Sequence, residues 1–543
     1  MFNGEKKGLF TLMFFCSTFI LSGQVLLPGT FDYQYYRHVL SRNHELTEPI
    51  SFFPSIITNL APEETFAWDK RQQYLDYKIE EKQKVKLINP TFGFQQSPKE
   101  GRSYNDGPIW QGKGVNAFIS GGLYGKQKIG VRGYLSYTFN PIVFFAENKD
   151  YVIPDTKFNK SPYSYPFYER LDLVERFGDQ PFAQFAMGQS EIKYVYGVFS
   201  LGFGTQNFNW GPSHFNPILL SNQAAGFPHF DFGLNKPINI KIGQIDGKII
   251  WGRLTESDYY DTNRENNYRY ITGIIGGYRP SFVKGLNIGI QRIMYRSWQQ
   301  GELAVKDVFS TFLNTSSHYD TSFGSVITND KYDQIASFTL RWNLAELGFE
   351  IWGEYARNDF AGGIMDFLRY PDRSSALTLG ASESYELKND ATIFLLFEST
   401  RLSANQLQIN NTFSSPTYYV HNILDHGYTQ KGQLLGAGIG PGSNTHVFQV
   451  QYLNEKHLIG FTAQRIRFYD DYILNQNVGS LTYPWEFEIF VAGDYKRTFK
   501  QFSIDLELAY AHHYHRYFNY EDNLGNLIIS CSLRYFLSLS GRG

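Results

Sequence analysis

The C-terminal end of the chain alternates apolar and polar residues with a period of two, and this pattern constrains the fold more than any other feature. Trp485, Phe487, Ile489, Val491, Gly493 and Tyr495 fall on one side; Glu486, Glu488, Phe490, Ala492 and Asp494 fall on the other. After a basic turn expected at Lys496 and Arg497, the pattern returns. Phe502, Ile504, Leu506, Leu508 and Tyr510 oppose Ser503, Asp505, Glu507, Ala509 and Ala511. Successive side chains of a strand point to opposite faces, so each segment is a ribbon with one apolar and one wet face. A soluble sheet carries such ribbons too. Their number, their aromatic ends and an N-terminal leader favour an all-β chain closed as a transmembrane antiparallel β-barrel, with lipid outside and a polar lumen inside.

The leader is read from Lys6 and Lys7, an apolar stretch from Gly8 to Leu21, and Ser22-Gly23-Gln24. That is a charged region, a hydrophobic region and a small-residue cleavage site. Residues 1–23 are therefore expected to be a signal peptide, exporting the mature chain to the cell outer membrane. The apolar stretch is too short to span a bilayer, and no later segment supplies about 18 uninterrupted apolar residues. A mean hydropathy of −0.35 is no obstacle, because barrel strands are only half apolar. Aromatic residues make up 17% of the chain, with 39 Tyr and 47 Phe, enough to furnish interfacial girdles as well as binding surfaces. Net charge is −2, and loss of a leader with two Lys and one Glu leaves about −3, which argues against a nucleic-acid partner. Once Cys16 leaves with the leader, Cys531 stands alone and no internal disulfide forms.

Residues 24–105 are more charged and alternate less strictly. Tyr33, Tyr36 and Leu40 share helical spacing, as do Trp68, Leu75 and Ile79, and Ala61-Pro62-Glu63-Glu64 resembles a helix start. A small, partly helical periplasmic cap is expected there, with the barrel occupying 106–543. Ribbons include 129–139 and the hairpin 336–342/347–355, joined by a tight turn at Asn343–Glu346. The count is 16–18 strands. Long polar connections are expected near 143–180, 205–235, 296–333 and 400–444, and these would face outside.

The densest run of functional residue types is Asn207–His229. Asn207, Asn209, Trp210, His214, Asn216, Asn222, Gln223 and His229 combine aromatic faces with amide donors and acceptors, which suits a neutral or weakly charged sugar. Tyr428 and Gln430 extend the set. The same residues equally suit a structural loop packed into the barrel. Gly436, Gly438, Gly440 and Gly442 do not match a phosphate-binding spacing and read as close backbone approaches. His512, His513 and His515 lack the third convergent group of a metal site, because only His513 and His515 share a strand face. Glu350, Glu354, Glu486, Glu488, Asp494, Asp505 and Glu507 are expected to give an acidic lumen. Paired carboxylates can hydrolyse glycosides, but no nucleophile–base pair or metal motif emerges, so no catalytic residue, metal or cofactor is assigned.

At these dense stretches the chain resembles the Wzi-type capsule assembly proteins. The likeness lies in Trp210-Gly211-Pro212, Leu219-Leu220-Ser221-Asn222-Gln223-Ala224 and Phe227-Pro228, in Gly427-Tyr428-Thr429-Gln430 with Leu435-Gly436 and Ile439-Gly440-Pro441-Gly442, and in Asn105-Asp106-Gly107 with Trp110-Gln111-Gly112-Lys113-Gly114. Ser213-His214 and Gln223 depart from the usual pattern. The resemblance implies an 18-stranded barrel closed at its periplasmic end by an N-terminal helical segment. It also implies a non-catalytic, lectin-like role in holding capsular or other surface polysaccharide, with outer-membrane lipid as the other partner. Two alternatives stay open: a substrate-selective pore for oligosaccharides or polar solutes, and an accessory barrel of a surface secretion or adhesion complex.

Overall fold

Eighteen antiparallel strands close into a barrel in the computed structural model. It describes residues 22–25, 33, 37, 50–54, 56–57 and 85–536, the last range with gaps of which the longest are 154–162 and 404–416. The expected signal peptide therefore lies almost wholly outside the described residues, as do Tyr36, Leu40, Ala61–Glu64, Trp68, Leu75 and Ile79 of the expected cap.

In chain order the strands are β1 (Val85–Ser97), β2 (Gly114–Ile129), β3 (Gly133–Phe139, resuming as Ile142–Ala146), β4 (Phe182–Ala186, resuming as Glu191–Tyr196), β5 (Phe199–Gly204), β6 (His229–Leu234, resuming as Ile238–Ile240), β7 (Gly243–Thr255), β8 (Tyr268–Pro280) and β9 (Leu286–Ser297). There follow β10 (Asp333–Leu344), β11 (Phe349–Asn358), β12 (Ser375–Leu387), β13 (Ala391–Arg401), β14 (Asn444–Leu453), β15 (His457–Arg467), β16 (Phe487–Thr498), β17 (Phe502–Tyr514) and β18 (Leu524–Tyr535). Each pairs with the next, and β18 pairs back onto β1, Ser530 opposite Gln95. Closure leaves no sheet edge, the condition for crossing hydrocarbon with strands. Among the described residues no helix is long and apolar enough to cross a membrane.

The period-two pattern sorts the side chains as expected. Phe203, Phe230, Ile290, Phe397, Phe461 and Leu508 are exposed on the outer wall, the apolar face a barrel presents to a bilayer, while the intervening residues turn into the lumen. Every second connection is a short turn, such as 345–348 or 454–456. The others are long and gather at the opposite end of the barrel, the outward end in this architecture.

Several boundaries differ from the sequence reading. The first barrel strand is Val85–Ser97, inside the segment expected to be cap. A register shift between Ile88 and Thr91, beside Pro90, breaks its alternation and hid it. Residues 129–139 are not one ribbon: a turn at 130–132, with Gly130 at φ +66°, separates β2 from β3. Lys496 and Arg497 belong to β16 rather than to a turn. Lys496 faces inward and meets Asp505 at 3.3 Å, so its charge is satisfied within the lumen. The connections expected at 143–180 and 205–235 are shortened by strand residues Ile142–Ala146 and His229–Leu234.

Of the N-terminal segment, Tyr33 and Arg37 are helical and buried, and Phe52–Pro54 forms a short ladder with Phe208–Trp210 of a long connection inside the barrel. Ile50 N and Ser51 Oγ donate to Asp246 of β7 at 2.5 and 3.2 Å. The segment thus enters the lumen and packs against β7–β9.

Candidate functional site

The connection 205–228 and the described residues of the second connection, 417–421 and 424–443, fold back into the barrel and, with the N-terminal segment, fill the half of the lumen lined by β6–β13. Trp210 is fully buried at the centre of the main core, against Phe208 and the wall at Gly273. After it the chain must reverse sharply. Gly211 takes φ +94°, and a Cβ there would press on the Glu354 carboxylate at 3.1 Å. Arg37 then donates to the Pro212 carbonyl and to that of Ser213, the latter at 2.6 Å.

Two inward carboxylates fasten this loop to the wall. Glu398 of β13 accepts from Ser213 Oγ at 2.8 Å, from the backbone N–H of His214, Phe215 and Asn216 at 2.7, 3.1 and 2.9 Å, and from Trp352 Nε1 at 3.3 Å. Glu354 of β11 accepts from Ile218 N, Ser337 Oγ and Gln291 Nε2 at 3.2, 2.9 and 3.2 Å. A buried carboxylate is tolerated only when its lone pairs are spent in this way. The second connection crosses over the first. Tyr428 OH donates to Leu219 O and Tyr419 OH to Ile218 O, both at 2.7 Å, and a Cβ on Gly436 would lie 2.2 Å from Ile218 O. The close approach expected of these glycines is therefore a loop-on-loop contact.

The other half of the lumen, lined by β14–β18 with β1 and β2, is wet. A cavity of about 370 Å³ lies there, bordered by Gln95, Asn116, Gln449, Asp494, Asp505 and Glu507. A smaller one of about 170 Å³ sits nearer the long-loop end, bordered by Glu100, Glu175, Gln223, Glu486, Glu488 and His513. Arg102 stands between them. It donates to Glu488 Oε1 at 3.1 Å and to Gln464 Oε1 at 2.8 Å, with its guanidinium 3.8 Å from the Phe490 ring centre. Burial pushes the Glu175 carboxyl up to about 7, and the neighbouring Glu100 and Glu486 charges add to the shift. Burial works the same way on Glu100, but the charges of His513 and Arg516 outweigh it and hold that carboxyl below the ordinary range.

All ten residues expected to bind glycan are buried, and their polar atoms turn to the protein. Asn207 accepts from Gln189 Nε2 at 2.9 Å and donates to Ala224 O at 2.8 Å; Asn209 donates to Tyr33 OH at 3.1 Å. The His214 ring lies 4.7 Å from that of Trp352, and His229 Nδ1 meets Phe227 O at 2.8 Å. Asn216 accepts from Tyr104 OH, Asn222 donates to Asn105 O, Gln223 accepts from Asn105 N, and Gln430 accepts from Thr255 N. The structure brings all ten into one plug, and only Asn222 and Gln223 among them border the two cavities.

The seven acids face inward but divide. Glu350 pairs with Arg341 at 2.9 Å, Glu354 holds the loop, Glu486 meets His513 at 2.9 Å and Glu488 meets Arg102; Asp494, Asp505 and Glu507 line the larger cavity. Of the histidines, His513 points inward between Glu100 and Glu486, His512 packs against Tyr514, and His515 leaves the strand in a left-handed turn. The sequence reading missed the half-buried rim aromatics Tyr163, Tyr259 and Tyr472, with Tyr163 and Tyr259 in ring contact at 5.1 Å, and placed Trp485 on the outer side of a ribbon, whereas it precedes β16 and packs against the core. They lie on three connections, with Tyr472 and Trp485 sharing one, and form no motif; aromatic density in the long loops was the signal available.

The model of the family described as capsule assembly protein Wzi matches residues 103–472, from the segment before β2 to the connection after β15. The chain belongs to this family. Wzi of Escherichia coli, an outer membrane protein involved in group 1 capsule assembly and a carbohydrate-binding β-barrel, has a solved structure that superposes with a TM-score of 0.60. Identity is 12%, over 95% of this chain and 100% of that one. OccAB2 of Acinetobacter baumannii superposes with a TM-score of 0.40 at 11% identity, over 85% of this chain and 100% of that one. A comparison with curated proteins gives no match. Family membership and the lipid-facing wall together make this an outer-membrane β-barrel. The 18 strands fall within the expected 16–18 and equal the number that the resemblance implied.

Proposed function

We propose that the chain is a lectin-like outer-membrane barrel that binds surface polysaccharide, capsular in the first instance, and helps attach or organise it at the cell surface without a catalytic step. The observation that carries this is the family match over a barrel whose long connections build a rigid platform inside the lumen. In this reading the ten plug residues act on the glycan by holding that platform in shape, with Asn222 and Gln223 nearest to open space. Rim aromatics such as Tyr259 and Trp485 supply flat faces on which sugar rings stack, and neighbouring amides and carboxylates take the hydroxyls. Each contact is weak. A long polymer engages repeatedly, and avidity replaces a deep pocket.

The experiment compares cell-attached and shed polysaccharide in cells with and without the gene, under matched export. The expected outcome is polymer lost to the medium while total synthesis holds, restored by the wild-type chain and not by Trp210→Ala. Unchanged attachment in the deletion removes the tethering reading.

A further inference from the structure

We propose that Glu256, Asp261 and His426 form a binding site for a divalent transition-metal ion, zinc in character, which clamps two connections together at the long-loop end of the barrel. One ligand atom from each residue lies within 4.8 Å of the other two, on segments far apart in sequence. His426 and Glu256 are buried and Asp261 is exposed, so a bound ion would be held by protein on one side and open to water on the other.

Local structure aims each group. Glu256 directly follows β7, and its backbone N–H donates to Asn267 O at 2.9 Å, closing the connection 256–267. Within that connection Asp261 accepts from Asn263 N at 2.7 Å and Asn266 Nδ2 at 3.0 Å, which fixes the carboxylate's direction. His426 comes from the second connection, where its carbonyl accepts from Asp172 N and Thr429 Oγ1, each at 3.0 Å. The Tyr260 ring lies 5.0 Å from the imidazole and walls one side. His426 Nε2 contacts Glu256 Oε2 directly, so a bound ion would part this pair and take the place of the proton they share. Asp172 lies outside this cluster and braces it: its two oxygens take Ser257 N and Ser257 Oγ at 2.8 and 2.5 Å, positioning the residue next to Glu256.

Charge and donor type select the ion. Glu256 and Asp261 bring two carboxylates to the one imidazole of His426, a donor set that suits a cation. One imidazole with two carboxylates, completed by water, matches zinc and its first-row neighbours. Calcium prefers six to eight oxygens and is poorly served by an imidazole. Seated there, the ion would tie the connection 256–267 to the segment bearing Tyr428 and Gln430, and so brace the upper layer of the plug.

The test uses the full chain, tag-free, chelator-treated and in detergent, titrated with zinc chloride by calorimetry. One site is expected, weakened at least about tenfold by either His426→Gln or Asp261→Asn. Zinc should raise the thermal unfolding midpoint of the wild-type chain and not of His426→Gln, and calcium chloride should do neither. Asp261 is exposed, so Asp261→Asn leaves the fold intact and keeps the test valid if His426→Gln misfolds. No saturable zinc binding, or binding unchanged in Asp261→Asn, overturns the proposal and leaves His426 and Glu256 as a hydrogen-bonded pair. The readout involves no glycan, so its failure is separate from failure of the tethering reading.

Discussion

The two halves of this lumen use the same residue types to opposite ends. Against β6–β13 the inward carboxylates Glu354 and Glu398 are encased and fully engaged by a loop folded over them. Against β14–β18 the carboxylates Asp494, Asp505 and Glu507 border open space, and Asp494 stands directly opposite Glu507 with no basic residue between them. The difference is whether a chain segment arrives to supply N–H groups. Where it does, an acid becomes an anchor that specifies one loop conformation. Where it does not, the acid is solvated lining and its exact identity matters little.

Substitutions that break this contrast should show it in their magnitudes. Glu398→Ala strands several buried donors at once and should cost on the order of 5 kcal/mol, read by denaturant unfolding of the refolded barrel in detergent. Trp210→Ala should cost about 3–5 kcal/mol by opening a cavity in the plug, with cell-attached polymer falling in parallel. Glu175→Gln tests the smaller cavity near the long-loop end. The native pKa of Glu175, about 7, lies above the 4.5 of an ordinary glutamate, so the native state holds the proton more tightly. Its stabilising contribution is full below about pH 4.5 and lost as pH rises through 7, because the native state then binds more protons than the unfolded one. Glu175→Gln should therefore flatten the fall in stability across that window, a change on the order of 2 kcal/mol seen in unfolding midpoints measured against pH. Asp494→Asn, in the wet half, should move stability by less than about 1 kcal/mol, slightly upward if anything, since it relieves a like-charge cross-strand pair. A cost for Asp494→Asn near that of Glu398→Ala would erase the distinction between the halves.

The barrel wall was legible in the sequence because lipid on one side and water on the other impose strict alternation, as in Phe487–Tyr495 and Phe502–Tyr510. The strand Val85–Ser97 escaped because Asn89-Pro90 shifts its register, so neither half reads as a full ribbon. Lys496 was misplaced because a charged residue inside a strand looks like a turn until Asp505 is seen beside it. In the plug, density of residue types located Asn207–His229 and Tyr428, but composition could not say which way the amides point. Asn, Gln and Trp serve a sugar or the protein's own interior equally well, and in the structure they lie buried against side chains and backbone of the plug. The anchor Glu354 looked from sequence like an ordinary inward acid and Glu398 was not singled out at all, since their loop partners lie more than 130 residues away.

The last strand pairs with the first. Ser530 cannot meet Gln95 until β18 has been made, so the wall stays open along that seam until its last strand is in place. The plug threads through the interior at residues 50–54, 208–223 and 418–436, all upstream of the seam's second lip. Filling from the side, before the seam closes, spares these loops from being drawn through a finished ring. Assembly then resembles sewing a cover around its stuffing, and a chain truncated before β18 should present packed loops behind an unpaired β1.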